Sequence, residues 1–265
     1  MKIFGIGQIV MWPGGNLWAG VSRVPAARHA HHAIQICLSL SGGIRLRSHE
    51  EEAWTDYQAA FIPAHIPHCF EAVGSGTILL FCEPESNLGR QLLARFPAGC
   101  ISPVPAASAD PVRALFSPAD FDSTPADVLA DRGKAALWAL AGDPLHHTPP
   151  TDPRILRAVS LLKDRTDRSI PLGEAAATVH LSPGRFRHLF VAEMGMPFRR
   201  YLLWLRLQKA LSMALGGESW AQAAQAANFA DQAHLSRTFR QMLGVAPTSL
   251  TPPPTMGPPA PDAPP

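Results

Sequence analysis

The chain has 265 residues, 46% hydrophobic and 17% charged, which suits a globular protein with room for two modest domains, each with its own core. Its net charge of +2 divides unevenly: residues 151–251 hold 13 Lys/Arg against 7 Asp/Glu and the remainder 10 against 14, so only the basic end suits a polyanion. The four cysteines, Cys37, Cys69, Cys82 and Cys100, never stand at CxxC spacing, which argues against a disulfide framework and for a reducing cytoplasm.

Ile3 to Ser22 carries no charge and follows Lys2, as the start of an export signal would. Pro13-Gly14-Gly15-Asn16 breaks that stretch, and no apolar run is long enough to span a bilayer. Ile9–Trp12 and Leu17–Val21 read better as the strands of a hairpin, so the expectation is a cytoplasmic protein with no membrane partner. Further strands follow at Ile34–Leu40, Gly43–Arg47, Ala59–Ile62 and Gly76–Cys82, with Gly and Pro between them. That rhythm fits a β-sandwich or barrel over about 1–85.

Helical spacing begins with Leu88–Phe96 and returns at Pro125–Ala141, across a Pro- and Ala-rich stretch at 97–125. The segment 86–141 is a candidate for dimerisation or interdomain contact, and a homodimer is compatible with it. Residues 146–153, with three prolines in the run from His146, read as a linker closing a first domain at 145. Residues 154–250 read as wholly helical. The tail 251–265, with eight prolines from Pro252 on, reads as disordered.

The helical half uses one grammar twice. Leu172, Ala175, Ala176 and Val179 mark the buried face of a short helix, and His180-Leu181 a turn. Ser182-Pro183 then opens a second helix with a strong N-cap and a tolerated first-turn proline. In it Phe186, Leu189 and Phe190 face the core, Gly184, Arg187, His188 and Val191 face away, and Gly195 closes the helix. The second unit runs from the helix Trp220–Ala227 through the turn Asn228-Phe229 to a helix 232–243, capped by Asp231 and ended by Gly244. There Leu235, Phe239, Met242 and Leu243 face inward, while Ala233, Arg237, Arg240 and Gln241 point away. A helix at Pro197–Leu215 joins the units, with Phe198, Leu202, Leu205 and Ala210 on its buried side. At 1.5 Å per residue it spans roughly 28 Å, close to the ~34 Å turn of B-DNA, so two second helices could enter successive major grooves.

Ser182-Pro183-Gly184-Arg185-Phe186-Arg187-His188-Leu189-Phe190, Gly195-Met196-Pro197 and Arg206-Leu207-Gln208-Lys209-Ala210 resemble the first motif and connecting helix of the AraC/XylS transcription regulators. Ala223 to Gln232, Leu235-Ser236-Arg237-Thr238-Phe239 and Gly244-Val245-Ala246-Pro247 resemble the second. The resemblance implies an all-α domain of two helix-turn-helix motifs on double-stranded promoter DNA. By position, base contacts would come from Gly184, Arg185, Arg187 and His188, then from Gln232, Ala233, His234 and Arg237. Arg can pair bidentately with guanine and Gln with adenine, whereas Gly184 has no side chain to read with. The family usually has Gly where Asn228 stands. Asn tolerates the left-handed conformation, so the turn is expected to survive.

Six of the eleven histidines lie between 29 and 68. His29-x-His31, Gln35 and Gly42 resemble the first cupin motif, with Gln for the usual Glu. Pro63-x-His65-x-x-His68 resembles the second, with His65 where Gly is usual. The resemblance implies a cupin-like β-barrel in which His29, His31, Gln35 and His68 hold one divalent first-row transition metal, or else a metal-free pocket holding a small molecule. His29 and His31, two apart on one strand, would both look inward, and His32 outward. His32 and His65 read as bystanders or outer partners, Cys69 as core, and Trp12, Trp18 and Trp54 as pocket walls or packing.

The expectation is an α+β chain of two domains: a DNA-binding transcription regulator answering to a small molecule or metal in its barrel. One alternative is a metal-dependent cupin enzyme with a helical appendage. The other is a DNA-binding protein whose barrel only dimerises. GxSxG, HExxH and P-loop patterns are absent, and Gly5-x-Gly7 lacks the third glycine of a dinucleotide loop, so catalysis is not expected.

Overall fold

The computed structural model describes residues 5–143, 151–165 and 168–250. The expected linker falls largely, and the expected tail wholly, outside those residues. The chain opens with the hairpin β1 (Gly5–Trp12) and β2 (Gly15–Ser22), paired so that Trp12 meets Gly15 across the two-residue turn Pro13-Gly14. The turn is tighter than expected because Gly14 accepts a φ of 89°. Next come β3 (Ala26–His29), β4 (Ile34–Ser39), β5 (Ile44–Arg47), β6 (Thr55–Tyr57), β7 (Ala59–Ile62), β8 (His68–Glu71) and β9 (Gly76–Cys82), with β10 (Ser102–Pro103) added later. They form a six-stranded sheet, β1-β2-β9-β4-β7-β10, and a four-stranded sheet, β3-β8-β5-β6, with antiparallel pairing in both.

The large sheet is apolar on both faces. Leu17, Ala19, Ile34, Ile36, Leu38, Phe61, Ile78 and Leu80 face α1 (Asn87–Arg95), α2 (Ala106–Arg113) and α3 (Ala126–Ala141). Trp18, Cys37, Ala60, Ile62 and Leu79 alternate with them and face the interior between the sheets. The segment 86–141 thus covers the sheet's outer face, with Trp12 lying over Gly133 of α3. α2 and β10 lie within the Pro- and Ala-rich stretch. Pro111 sits inside α2 and hides its pattern in the sequence, while Ala109 and Val112 supply the buried side.

The helical half contains α4 (Pro153–Asp164), α5 (Leu172–Thr178), α6 (Pro183–Met194), α7 (Phe198–Leu215), α8 (Trp220–Ala226) and α9 (Gln232–Leu243). Its caps follow from local sequence: Ser182 accepts from Arg185 N, Asp231 from His234 N, and Ser219 and Gln222 form a capping box on α8. Gly195 (φ 66°) and Gly244 (φ 72°) end α6 and α9 in the left-handed conformation, and Asn228 takes φ 64° in the second turn.

The helical core does not end at a domain surface. One continuous hydrophobic cluster runs from the barrel interior, through α7, to Phe186, Phe190 and Phe239. α7 buries Phe198, Leu205 and Ala210 as expected and leaves Leu202 half-buried, but Tyr201, Trp204, Leu207 and Leu211 are buried too. A helix apolar nearly all round needs cover on every side, and the barrel supplies the second one. Each half therefore completes the core of the other.

Candidate DNA-reading face and histidine centre

Gly184, Arg185, Arg187 and His188 lie exposed on the N-terminal half of α6, and Gln232, Ala233 and Arg237 on that of α9. His234 differs. It is half-buried, with its ring edge-on to Phe229 at 5.2 Å, so packing fixes its direction. Arg240 and Gln241 are also exposed on α9.

The C-terminal ends of both helices rest on the barrel. At α9, the Ala27 N–H donates to Gly244 O (2.9 Å), and a Cβ on Gly244 would fall 2.4 Å from Ala27 O and 2.6 Å from His29 Nδ1. Only glycine allows so close an approach. At α6, His65 Nε2–H reaches Met194 O (3.1 Å), and the ring lies 3.0 Å from where a Gly195 Cβ would be. His65 itself has φ 69°, which accounts for the glycine usual at its position in the resembling motif.

His29, His31 and His68 are buried together, with candidate ligand nitrogens within 4.8 Å of one another. Each ring gives its Nδ1–H to a backbone carbonyl: His29 to Ala27 (2.8 Å), His31 to Ala33 (3.0 Å) and His68 to Ile66 (2.9 Å). That fixes one tautomer three times over and leaves every Nε2 with a free lone pair, the arrangement a metal requires. Burial, helped by the neighbouring His31, pushes His29 down to about 3, and burial likewise lowers His31 and holds His68 well below the usual histidine value. All three are neutral donors at neutral pH. His68 Nε2 is buried with no hydrogen-bond partner among the described residues, and a bound ion would satisfy it.

Gln35 adds a fourth group. Its Oε1 stands 2.9 Å from His31 Nε2, and its Nε2 donates to Cys37 Sγ at 3.1 Å. Once His31 has given its hydrogen to Ala33, two acceptors face each other. A cation between them removes the conflict, as does a turn of the Gln35 amide. The residues present therefore fit a divalent ion with neutral nitrogen and oxygen ligands.

Structure corrects the sequence reading at several residues. His31 lies beyond the end of β3 rather than on one strand with His29, and both still turn inward. His32, expected outside, is 1% exposed. Its Nε2–H donates to Glu85 (3.1 Å), its Nδ1 pairs with His65 (3.1 Å), and Tyr201 of α7 donates to the other Glu85 oxygen (3.3 Å). Burial alone would raise the Glu85 carboxyl, but the bond from His32 and the charge of Lys163 hold it low. Lys163 of α4 also pairs with Glu83 at 2.5 Å. His65 and His32 are thus parts of a polar seam between the halves. Glu83, Glu85 and Lys163 were missed because nothing local marks them. Cys69 is core, Trp12 packs on α3, and Trp54 lies beside Arg47 at 4.4 Å.

Beside the histidines lies an apolar cavity of about 90 Å³, bounded on one side by Ile9, Met11, Trp18 and Phe81 and on the other by Trp204, Leu207 and Leu211 of α7. His29, His31 and Gln35 line it, as do Leu243 and Val245 around the end of α9.

Residues 175–251 match the family described as a helix-turn-helix domain. Among solved structures, ToxT from Vibrio cholerae O395 is similar at 12% identity, with 89% of this chain and 97% of that chain covered and a TM-score of 0.56. An unsaturated-fatty-acid-bound ToxT from V. cholerae strain SCE256 is similar at 13% identity over 93% of this chain and 92% of that chain, with a TM-score of 0.50. A transcriptional regulator with an AraC-type DNA-binding domain from Chromobacterium violaceum shares 27% identity over 36% of this chain and 87% of its own, with a TM-score of 0.35. No curated protein matches. Among the described residues no helix is long and apolar enough to cross a membrane.

Proposed function

Starting from the AraC-type helix-turn-helix domain of its C-terminal part, we propose that this chain is a one-component, sequence-specific regulator whose barrel senses a divalent first-row transition metal. On this reading it is a transcription regulator rather than an enzyme. The working division is a sensor over 1–145, a linker over 146–153 and a DNA-binding domain over 154–250.

One observation carries the reading: three buried, neutral imidazoles with converging free nitrogens, one of them touching the end of a DNA-reading helix. His29, His31 and His68 would hold the ion, with Gln35 as a further oxygen donor. Bound there, it would supply a fixed positive centre in an apolar interior. His29 stands between that centre and Gly244, so a shift of its ring reaches α9 directly. Ligands act on such a protein by binding its two arrangements unequally, and here the arrangements differ in how the helical half sits on the barrel.

On DNA, Arg185, Arg187 and His188 would read from α6, with Gly184 allowing close approach. Gln232, Ala233, His234 and Arg237 would read from α9. The half-buried His234 favours a positioning role over a base contact. The exposed Val128 and Trp138 of α3 offer a face for a homodimer, which sedimentation of the purified chain would reveal.

A second reading, a metal-free small-molecule sensor, draws on the apolar cavity and on the fatty acid bound to the ToxT neighbour. Metal analysis of purified protein, followed by promoter-DNA retardation with and without chelator, separates the two. The metal reading expects about one ion per chain and a chelator-dependent DNA affinity. A protein that purifies without metal, takes up none, and binds DNA the same in chelator overturns it.

A further inference from the structure

The donors around the histidine centre carry no negative charge. Three neutral imidazoles and an amide oxygen would leave a divalent ion with its full charge inside the protein. Among the described residues, no Asp, Glu, Lys or Arg lines the cavity beside it. The nearby carboxylate of Glu85 is already engaged by His32 and Tyr201. A buried, uncompensated dication is costly, so the site calls for an anion from outside. Trp204 of α7 lines the same cavity, with its ring 6.2 Å from that of His31, and its indole Nε1–H is buried with no hydrogen-bond partner among the described residues. A buried donor without an acceptor is uncommon and points to an absent oxygen.

Resting on the metal reading above, we propose that the effector is a small organic anion, a short-chain carboxylate in its simplest form, that binds between barrel and α7. Its carboxylate completes the coordination of the ion on His29, His31 and His68 and accepts from Trp204 Nε1–H. Its apolar body lies among Met11, Phe81, Leu207 and Leu211. The size of the cavity sets the length of that body. A cavity of about 90 Å³ suits a short body of a few carbons. Because one wall belongs to the DNA-binding half, the anion bridges the halves as well as filling the site. Without the ion, neutral imidazoles have no charge to hold a carboxylate, so anion binding should depend on metal.

The test uses the full chain loaded with Co(II), whose visible spectrum reports its ligands, with butanoate as probe and butanamide as its neutral match. Butanoate is expected to change the Co(II) spectrum and raise the melting temperature, while butanamide does neither and metal-free protein responds to neither. Trp204→Phe should keep the cobalt spectrum and weaken butanoate roughly tenfold, the usual loss for one hydrogen bond to a charged group. Leu211→Trp, which fills the cavity, should keep the cobalt spectrum and abolish the response. A cobalt spectrum untouched by butanoate, or moved equally by butanamide, overturns the anion while leaving the metal standing. No cobalt spectrum at all overturns both.

Discussion

The two helix-turn-helix units end alike and rest on different things. Gly195 closes α6 against His65, which belongs to a polar seam with His32, Glu85 and Tyr201. Gly244 closes α9 against His29 and the backbone of Ala27, at the rim of the histidine centre. The clearances differ as well. A Cβ at 195 would meet a movable imidazole at 3.0 Å, whereas one at 244 would meet a backbone oxygen at 2.4 Å. The same capping motif therefore anchors the first unit to a side-chain contact of the polar seam and the second to backbone at the rim of the histidine centre. On this reading a change at the sensor reaches the second reader first.

Several substitutions would break or sharpen that contrast. The largest effect expected is on metal: His68→Ala should cost more than the ~10–100-fold that an outer hydrogen-bond partner typically costs, by Co(II) titration. His65→Ala, in the α6 seam, should leave cobalt affinity almost unchanged, and equal losses would erase the distinction. Next is Gly244→Ala, which adds a left-handed alanine to a backbone collision and should destabilise the chain by roughly 2–4 kcal/mol in urea denaturation. Gly195→Ala should cost about 1 kcal/mol, since only the φ penalty and a yielding side chain oppose it. If the two glycines cost the same, α9 is not held more tightly than α6.

On DNA, Arg237→Ala should lose about 1–3 kcal/mol for the preferred promoter sequence and little for random DNA, measured by fluorescence anisotropy at fixed salt. A uniform loss across sequences would make Arg237 a phosphate contact instead. The smallest effect is on pH. His29 is pushed down to about 3 and His65 to about 4, both by burial foremost, so the metal-free fold holds them neutral while the unfolded chain takes up protons near 6.5. Between those values the unfolded state binds more protons. The stability these rings allow is thus complete above about pH 6.5 and declines as pH falls toward 3. Melting temperatures of the metal-free chain from pH 7.5 to 4.5 should fall, and His65→Gln should flatten part of the slope.

Much of the helical half was legible because its signals are local. N-caps at Ser182 and Asp231, left-handed closures at Gly195, Asn228 and Gly244, and apolar stripes at i, i+3 and i+4 each act within a turn or two of chain. The histidine centre was half legible. Its members stand in two short motifs, but the sequence placed His29 and His31 on one strand, turned His32 outward and left His65 open between a bystander and an outer partner. A period-two rule holds only while the strand continues, and β3 ends at His29.

What the chain's own order determined, then, is two helix-turn-helix units joined by one helix, a set of imidazoles with no carboxylate among them, and a basic end and an acidic one. Only the tertiary structure decided that the C-terminal ends of α6 and α9 lie on the barrel, that α7 forms one wall of its cavity, and that His32 and His65 tie the halves through Glu85 and Met194. Those contacts join residues more than a hundred positions apart in several cases, such as His65 with Met194 and Glu85 with Tyr201. No local propensity records them. They arise because α7 is apolar on two sides and the open barrel is apolar within, and each hides its surface from water against the other.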